Sequence, residues 1–150
     1  MLLENSVIPD FKEAISSIGD PLFGGETSLF IEDIIKDKSD HKVFTAMRDG
    51  RVAGFLILSA VLDEAEILEV AVSGDLRRKG IASELMSEIS EWCQKNGIAQ
   101  IFLEVRESNL PARAYYKKFG FSENGRRKNY YRDPVEDAVL MSKKLQISQG

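Results

Sequence analysis

The chain has 150 residues, 43% hydrophobic and 29% charged, with a formal net charge of -4. That length suits one domain over residues 1–150 with a buried core, and the acidic balance argues against bulk nucleic-acid binding. No apolar run is long enough to span a bilayer, no secretory pattern follows Met1, and Cys93 has no internal disulfide partner, so a cytoplasmic protein with a buried structural thiol is expected.

Residues 2–7 read as a first strand. Pro9 opens a helix with Phe11, Ile15 and Ile18 on one face, ending before Gly19. Residues 21–25 read as a loop, and residues 27–36 as a second short helix with Thr27 as its N-cap. Strands over residues 42–47 and 52–61 flank Asp49-Gly50, a hairpin signal, and a tight connection at residues 62–64 leads to a strand over residues 65–72. After a loop with two glycines comes a helix over residues 81–95, with Ile81, Leu85, Ile89, Trp92 and Cys93 on one stripe and Asn96-Gly97 at its end. Residues 99–105 form a strand that returns parallel to residues 65–72 through a right-handed crossover. A helix over residues 111–119 follows, closed by Gly120. Two last strands, residues 121–129 and 135–145, are joined by a tyrosine-rich loop containing Pro134. The order β-α-α-β-β-β-α-β-α-β-β describes an α/β fold on a mixed sheet.

The loop between the third of the middle strands and its helix, Ser73-Gly74-Asp75-Leu76-Arg77-Arg78-Lys79-Gly80, aims free backbone N–H groups and a helix N-terminus at one point, where an anion such as a pyrophosphate would sit. It lacks the Gly-Lys-Ser/Thr ending of a nucleotide-triphosphate loop and the three-glycine spacing of a dinucleotide fold. In the strand over residues 99–105, alternation puts Phe102 and Glu104 on one face and Ile101, Leu103 and Val105 on the other. A carboxylate in a partly apolar cleft can serve as a general base; a salt bridge to Arg106 or another cation is the plain alternative. Glu69 is a second candidate, placed by alternation on the side of Ile67 and Ala71. Tyr115 and Tyr116 are packing residues or proton donors. Asn109 suits an N-cap. Arg126-Arg127-Lys128-Asn129-Tyr130-Tyr131-Arg132 is either a solvated hairpin end or one wall of a substrate groove. His41 reads as a surface residue, and no spacing of His, Cys, Asp or Glu suggests a metal site.

Arg77-Arg78-Lys79-Gly80-Ile81-Ala82 is similar to the Q/R-x-x-G-x-G/A signature of the GNAT (Gcn5-related) N-acetyltransferases, and the resemblance extends over about residues 42–145. Val61-Leu62-Asp63-Glu64-Ala65, Leu103-Glu104-Val105-Arg106-Glu107-Ser108-Asn109, Tyr116-Lys117-Lys118-Phe119-Gly120-Phe121 and Arg127-Lys128-Asn129-Tyr130-Tyr131 with Glu136-Asp137-Ala138 resemble the bacterial RimI group, which acetylates the N-terminal alanine of a small-subunit ribosomal protein. The resemblance implies a sheet whose two parallel strands splay to admit acetyl-CoA, with no metal. It puts Glu104 on the general base and Tyr116 on the general acid. It assigns acetyl-CoA contacts to Val70, Ala71, Val72, Arg77, Arg78, Lys79, Gly80, Ile81, Ala82, Ser83 and Asn109, and the acceptor's first residues to Tyr130 and Tyr131. Where the group carries Pro-Trp-Ser, this chain has Pro21-Leu22-Phe23-Gly24-Gly25-Glu26, in a segment that borders the acceptor groove.

The expected reaction is direct transfer from acetyl-CoA to a protein N-terminus in a ternary complex, with a backbone N–H such as that of Val72 meeting the oxyanion. The partner is a peptide N-terminus; neither nucleic acid nor membrane is expected. A GNAT enzyme for lysine side chains, polyamines or other small amines, and a non-catalytic acyl-CoA-binding module, are the alternatives.

Overall fold

A computed structural model describes residues 1–36, 40–77 and 79–146. The sheet is built outward from β2 (Arg51–Val61), in which Ala53, Gly54, Phe55, Leu56, Ile57 and Leu58 are all buried. A strand apolar on both faces needs cover on both. β2 pairs antiparallel with β1 (His41–Arg48) and β3 (Glu64–Val72), and β3 pairs parallel with β4 (Gln100–Arg106). β4 pairs antiparallel with β6 (Glu136–Lys144), which carries β5 (Ser122–Tyr131) at the edge, giving the order β1-β2-β3-β4-β6-β5. Asp49 and Gly50, at φ 52° and 74°, close the first hairpin as the sequence predicts.

One face is covered by α3 (Ile81–Lys95) and α4 (Leu110–Lys118). Ile81, Leu85, Met86, Ile89 and Cys93 of α3 pack with Phe44, Leu56, Leu58, Leu103 and Tyr116. Met86 joins the expected stripe, while Trp92 sits at its margin, edge-on to Phe44 at 5.9 Å. Each large side chain buried here contributes roughly 1.5–3 kcal/mol. Burial also pushes the Cys93 thiol up to about 11, which keeps it protonated and inert. The other face is covered by α1 (Ile8–Phe23) and α2 (Glu26–Ile35), whose Ile8, Ile15, Ile31 and Ile34 meet Val43, Phe55 and Ile57.

The N-terminal third departs from its sequence reading. The strand expected over residues 2–7 is a single antiparallel bridge, Leu2 with Phe44, supported by Leu3 N–H donating to Val43 O at 2.9 Å. α1 runs through Gly19 and Pro21 to Phe23. Pro21 lies in the last turn, where a missing N–H costs one helical bond at most. The loop shrinks to Gly24 and Gly25, both left-handed (φ 62° and 84°). Gly19 marks a helix crossing: a Cβ there would lie 2.2 Å from Thr27 Oγ1. Asp20 Oδ1 accepts from Ser28 N–H at 2.9 Å, so the start of α2 is capped from the end of α1 and not by Thr27. Thr27 instead faces inward and donates to Glu69 Oε1 at 2.5 Å.

A β-bulge positions everything downstream. Ile57 pairs with Glu69 and Leu58 with Ile67, so Leu68 is an extra residue. Ala65 and Ile67 therefore join the core under α3, while Ala71 joins the core under α1 and α2. Glu69 shares its side with Ala71 but not with Ile67, because the bulge resets the alternation. The parallel pairing of β3 with β4 runs from Glu64–Gln100 to Ile67–Leu103 and stops at the same place. The central strands then splay, as the resemblance implies.

Glu69 is buried, and its Oε2 has no hydrogen-bond partner among the described residues. Burial pushes its pKa up to about 7 from the ordinary 4.5; Thr27 opposes the rise, and Glu26 and Asp20 add to it. A raised carboxyl pKa stabilises the fold fully below the unfolded value, and this contribution is lost as pH climbs through the folded pKa. Wild-type stability is therefore expected to fall between pH 5 and 8 more steeply than that of Glu69→Gln, by on the order of 2–3 kcal/mol at the upper end. Thermal melts of both proteins across this range measure the difference, and parallel profiles would remove Glu69 as its source.

Candidate active site

The gap between β3 and β4 is the centre of the site. Beyond Ile67 the arm of β3 carrying Val70, Ala71 and Val72 has no partner on the β4 side, so its backbone groups facing the gap are open to a ligand. Val70 and Val72 pack toward α3 and Ala71 toward α1 and α2, which holds the arm rigid from both faces.

The loop after this arm is ordered by its own bonds. Ser73 N–H donates to Ala53 O at 2.8 Å, Ser73 Oγ donates to Asp75 Oδ1 at 2.6 Å, and Gly74–Leu76 form one 3₁₀ turn. Gly80 is the N-cap of α3, at φ 75°, with no side-chain cap. The first bond of the helix is Glu84 N–H to Gly80 O at 3.0 Å, which leaves the N–H groups of Ile81, Ala82 and Ser83 without helical partners. A Cβ at Gly80 would meet nothing within 4 Å among the described residues. Arg77 and Lys79 stand exposed beside it. Uncapped donors at a positive helix end, with flanking cations, form an anion site. Arg78 lies outside the described residues.

Across the gap, β4 alternates as expected: Ile101, Leu103 and Val105 are buried and Glu104 lies on the other face, one residue past the last β3–β4 pair. The Glu104 carboxylate meets Arg127, with Nε 2.8 Å from Oε1. Arg106, the cation suggested by sequence, is engaged elsewhere: it pairs with Glu136 at 3.3 Å, donates to Arg132 O at 3.1 Å and lies over the Tyr131 ring at 4.4 Å. Tyr130 and Tyr131 belong to the end of β5 and not to a loop. Asn129, at φ 53°, and a register break between Arg127 and Tyr131 turn that strand end. The Glu104 charge, then burial, raises the Tyr130 phenol; burial, then Glu104, pushes Tyr131 up to about 12.

Tyr116 is buried, its ring edge-on to Tyr115 at 5.8 Å and to Phe121 at 5.9 Å. Burial, reinforced by Tyr115 and Tyr131, pushes its pKa up to about 12, so it carries its proton throughout the neutral range. Glu104, Tyr130, Tyr131 and Tyr116 thus form a chain of electrostatic neighbours at the gap. Asn109 N-caps α4, its Oδ1 accepting from Ala112 N–H at 3.2 Å, so its local structural role is filled. Glu69 is held under α2 by Thr27. His41 opens β1 half-buried, edge-on to Phe30 at 5.1 Å, and not on the surface; burial lowers its pKa. Among the described residues no group of three or more His, Cys, Asp or Glu is placed to hold a metal.

Two site residues escaped the sequence reading. Arg127 was one cation in a basic run, and only the fold shows that it faces Glu104. Glu66 alternates outward from Ala65 and Ile67, a signal available in the sequence, and joins Glu64, Phe102, Glu104, Asn124 and Arg127 around a cavity of about 400 Å³.

Known proteins share this fold. The family model described as "Acetyltransferase (GNAT) family" matches residues 9–121. The ribosomal protein bS18 alanine N-acetyltransferase of Escherichia coli K12 is 40% identical over 101 residues, 66% of this chain and 68% of that protein. A Bacillus subtilis protein provisionally named for the same activity is 34% identical over 130 residues, 81% of this chain and 86% of its own length. The crystal structure of the E. coli ribosomal-protein-S18-alanine N-acetyltransferase superposes with a TM-score of 0.80 at 29% identity, covering 99% of this chain and 96% of that one. Ard1 of Thermoplasma volcanium gives 0.77 at 27% identity, covering 97% of each chain. An aminoglycoside 6'-N-acetyltransferase complexed with coenzyme A gives 0.81 at 14% identity over 100% and 99%, a likeness of fold alone. No helix among the described residues is long and apolar enough to cross a membrane. The chain belongs to the GNAT family of acetyltransferases and is an acyltransferase enzyme.

Proposed function

We propose that this protein is an acetyl-CoA-dependent Nα-acetyltransferase, one domain over residues 1–150, acting in the cytoplasm on a protein N-terminus. Its acceptor is the N-terminal alanine of a small-subunit ribosomal protein. The observation that carries the reading is the juxtaposition at the splay: an uncapped helix N-terminus on one side, and on the other a carboxylate within a chain of phenols. Likeness to the E. coli bS18 alanine enzyme supports the acceptor.

Acetyl-CoA supplies an activated acetyl thioester. Backbone N–H groups of Ile81, Ala82 and Ser83, beside Arg77, Arg78 and Lys79, bind its pyrophosphate, with Gly80 leaving room for the approach. Val70, Ala71 and Val72 offer open backbone groups to its extended arm, the Val72 N–H serving as the oxyanion donor, and Asn109 adds a contact from the far side. Glu104 takes the proton of the acceptor's α-amino group, directly or through water. An α-amino group of pKa about 7.7–8.0 is only partly deprotonated at neutral pH, so a modest base suffices. Tyr116 returns a proton to the departing thiolate. Tyr130 and Tyr131 hold the acceptor's first residues beside Glu104. No covalent enzyme intermediate is required, in keeping with an inert Cys93.

Incubating the protein with acetyl-CoA and peptides of varied N-terminus, followed by mass, is expected to add one acetyl group to the α-amine of alanine-starting peptides. Acetylation confined to internal lysines or to small amines would overturn the acceptor class. Tyr116→Phe is expected to lower kcat by about 10²-fold with little change in the KM for acetyl-CoA; an unchanged kcat would remove Tyr116 from acid catalysis. Glu104→Gln keeps an oxygen for Arg127 but no base, and is expected to cost about 10²-fold in kcat. Raising the pH should narrow that deficit in steady-state rates, because deprotonated amine then arrives from solution.

A further inference from the structure

The two faces of the sheet serve different halves of the site. The uncapped start of α3 belongs to the face that holds Leu103 and Val105. Glu104 leaves β4 on the other face, where α1 and α2 cover Val43, Phe55, Ile57 and Ala71. The corner between these helices, Gly24-Gly25-Glu26, stands over the open arm of β3. Thr27, just beyond the corner, bonds Glu69, the residue before Val70. Phe23, just before it, packs against the core that contains Ala71. A molecule that approaches Glu104 from this face therefore has the corner across the gap from it.

Two polar links hold the corner. Asp20 accepts from both the N–H and the hydroxyl of Ser28, which joins α1 to α2. Thr27 donates to Glu69 Oε1 at 2.5 Å, which joins the pair to the sheet. Both residues of this second link are buried, and Glu69 Oε2 has no hydrogen-bond partner among the described residues. The charged groups that reach Glu69 are Glu26 of α2 and Asp20 of α1, both carboxylates, and β2 sets the apolar Ile57 beside it. A neutral carboxyl tolerates this seat. An ionised one would be an unsolvated anion near two others. Burial accordingly pushes its pKa up to about 7. Water relieves the anion, and the first turn of α2 must part from β3 to admit it. We infer that Glu69 is a positioning residue for the acceptor and a pH-sensitive latch. As the acid it seats the α1–α2 corner beside the open arm through Thr27; as the anion it releases the corner, weakening acceptor binding while acetyl-CoA, held from the other face, is unaffected. This rests on the Nα-acetyltransferase reading given above.

The test compares wild type with Glu69→Gln, which keeps an oxygen for Thr27 and carries no charge, from pH 6 to 8.5 with acetyl-CoA and an alanine-starting peptide. Dividing the two kcat/KM values for the peptide cancels the titration of the peptide's own amine. The wild-type-to-variant ratio is expected to fall by about 5-fold as pH rises, through the peptide KM, with the KM for acetyl-CoA unchanged. Amide hydrogen exchange read by mass gives the same comparison without turnover: corrected for intrinsic rates, residues 20–30 of wild type should lose protection relative to Glu69→Gln as pH rises. If Glu69→Gln fails a thermal melt, Thr27→Val against Thr27→Ser carries the test at pH 6. Loss of the hydroxyl is then expected to raise the peptide KM by about 5-fold and spare that for acetyl-CoA; equal values overturn the inference. A ratio constant with pH, an equal shift in the KM for acetyl-CoA, or parallel exchange in the two proteins also overturns it, and peptide acetylation leaves the enzyme reading standing. Acetylation of no peptide α-amine overturns both.

Discussion

The parting of β3 from β4 is the constraint on which the rest of this molecule depends. A parallel pair continued to Val72 and Arg106 would satisfy its own backbone groups and leave no place for a ligand. The single extra residue Leu68 adds twist and bend to β3 where pairing with β4 ends. What remains is a strip of open N–H and C=O groups that water or an extended polar chain must satisfy. The two cores on either side of the sheet keep the arm from collapsing onto β4, because Val70 and Val72 are anchored in one and Ala71 in the other.

Glu104 and Tyr116, the proposed base and acid, sit in different surroundings. Glu104 is ion-paired with Arg127 at 2.8 Å. Tyr116 is buried among aromatic rings, which favours the neutral phenol. In the proposed reaction the carboxylate accepts a proton and the buried phenol supplies one. Arg106 contributes without touching either group: its bonds to Arg132 O and Glu136 and its seat over Tyr131 hold the end of the β5–β6 hairpin where the phenols face Glu104.

The middle and end of the chain were legible because their signals are local. Alternation in β4 placed Glu104, the Asp49-Gly50 turn set the first hairpin, and Gly80 ahead of an amphipathic stripe set the anion cradle. The N-terminal third was not, because its residues serve long-range demands that mimic local punctuation. Gly19 reads as a helix stop but is a crossing point, Thr27 reads as a cap but bonds Glu69, and Pro21 reads as a loop but sits where a missing donor does little harm. The bulge at Leu68 was invisible, since one inserted apolar residue leaves a plausible strand on either register and only pairing with β2 reveals it. Tyr130 and Tyr131 looked like loop residues beside Pro134, yet pairing with β6 carries the strand to Tyr131.

The polar link between α2 and the sheet lies on the side of the gap proposed for the acceptor. Thr27 and Glu69 are both buried, and a carboxyl placed there with one unpartnered oxygen is more costly than an apolar pair of the same shape. Apolar side chains, however, would let α2 slide, since Ile31 and Ile34 meet Val43, Phe55 and Ile57 through contacts without direction. One short bond from Thr27, with Gly19 pressed against the same hydroxyl, fixes both the height and the rotation of α2. Glu69 lies on the arm of β3 that also carries Val70, Ala71 and Val72, so the helix pair and the donor side of the gap are referenced to one strand. We read the link as a device for geometry at some expense of stability: it holds the helical wall at a set distance from the open arm, which a reaction between two bound molecules requires.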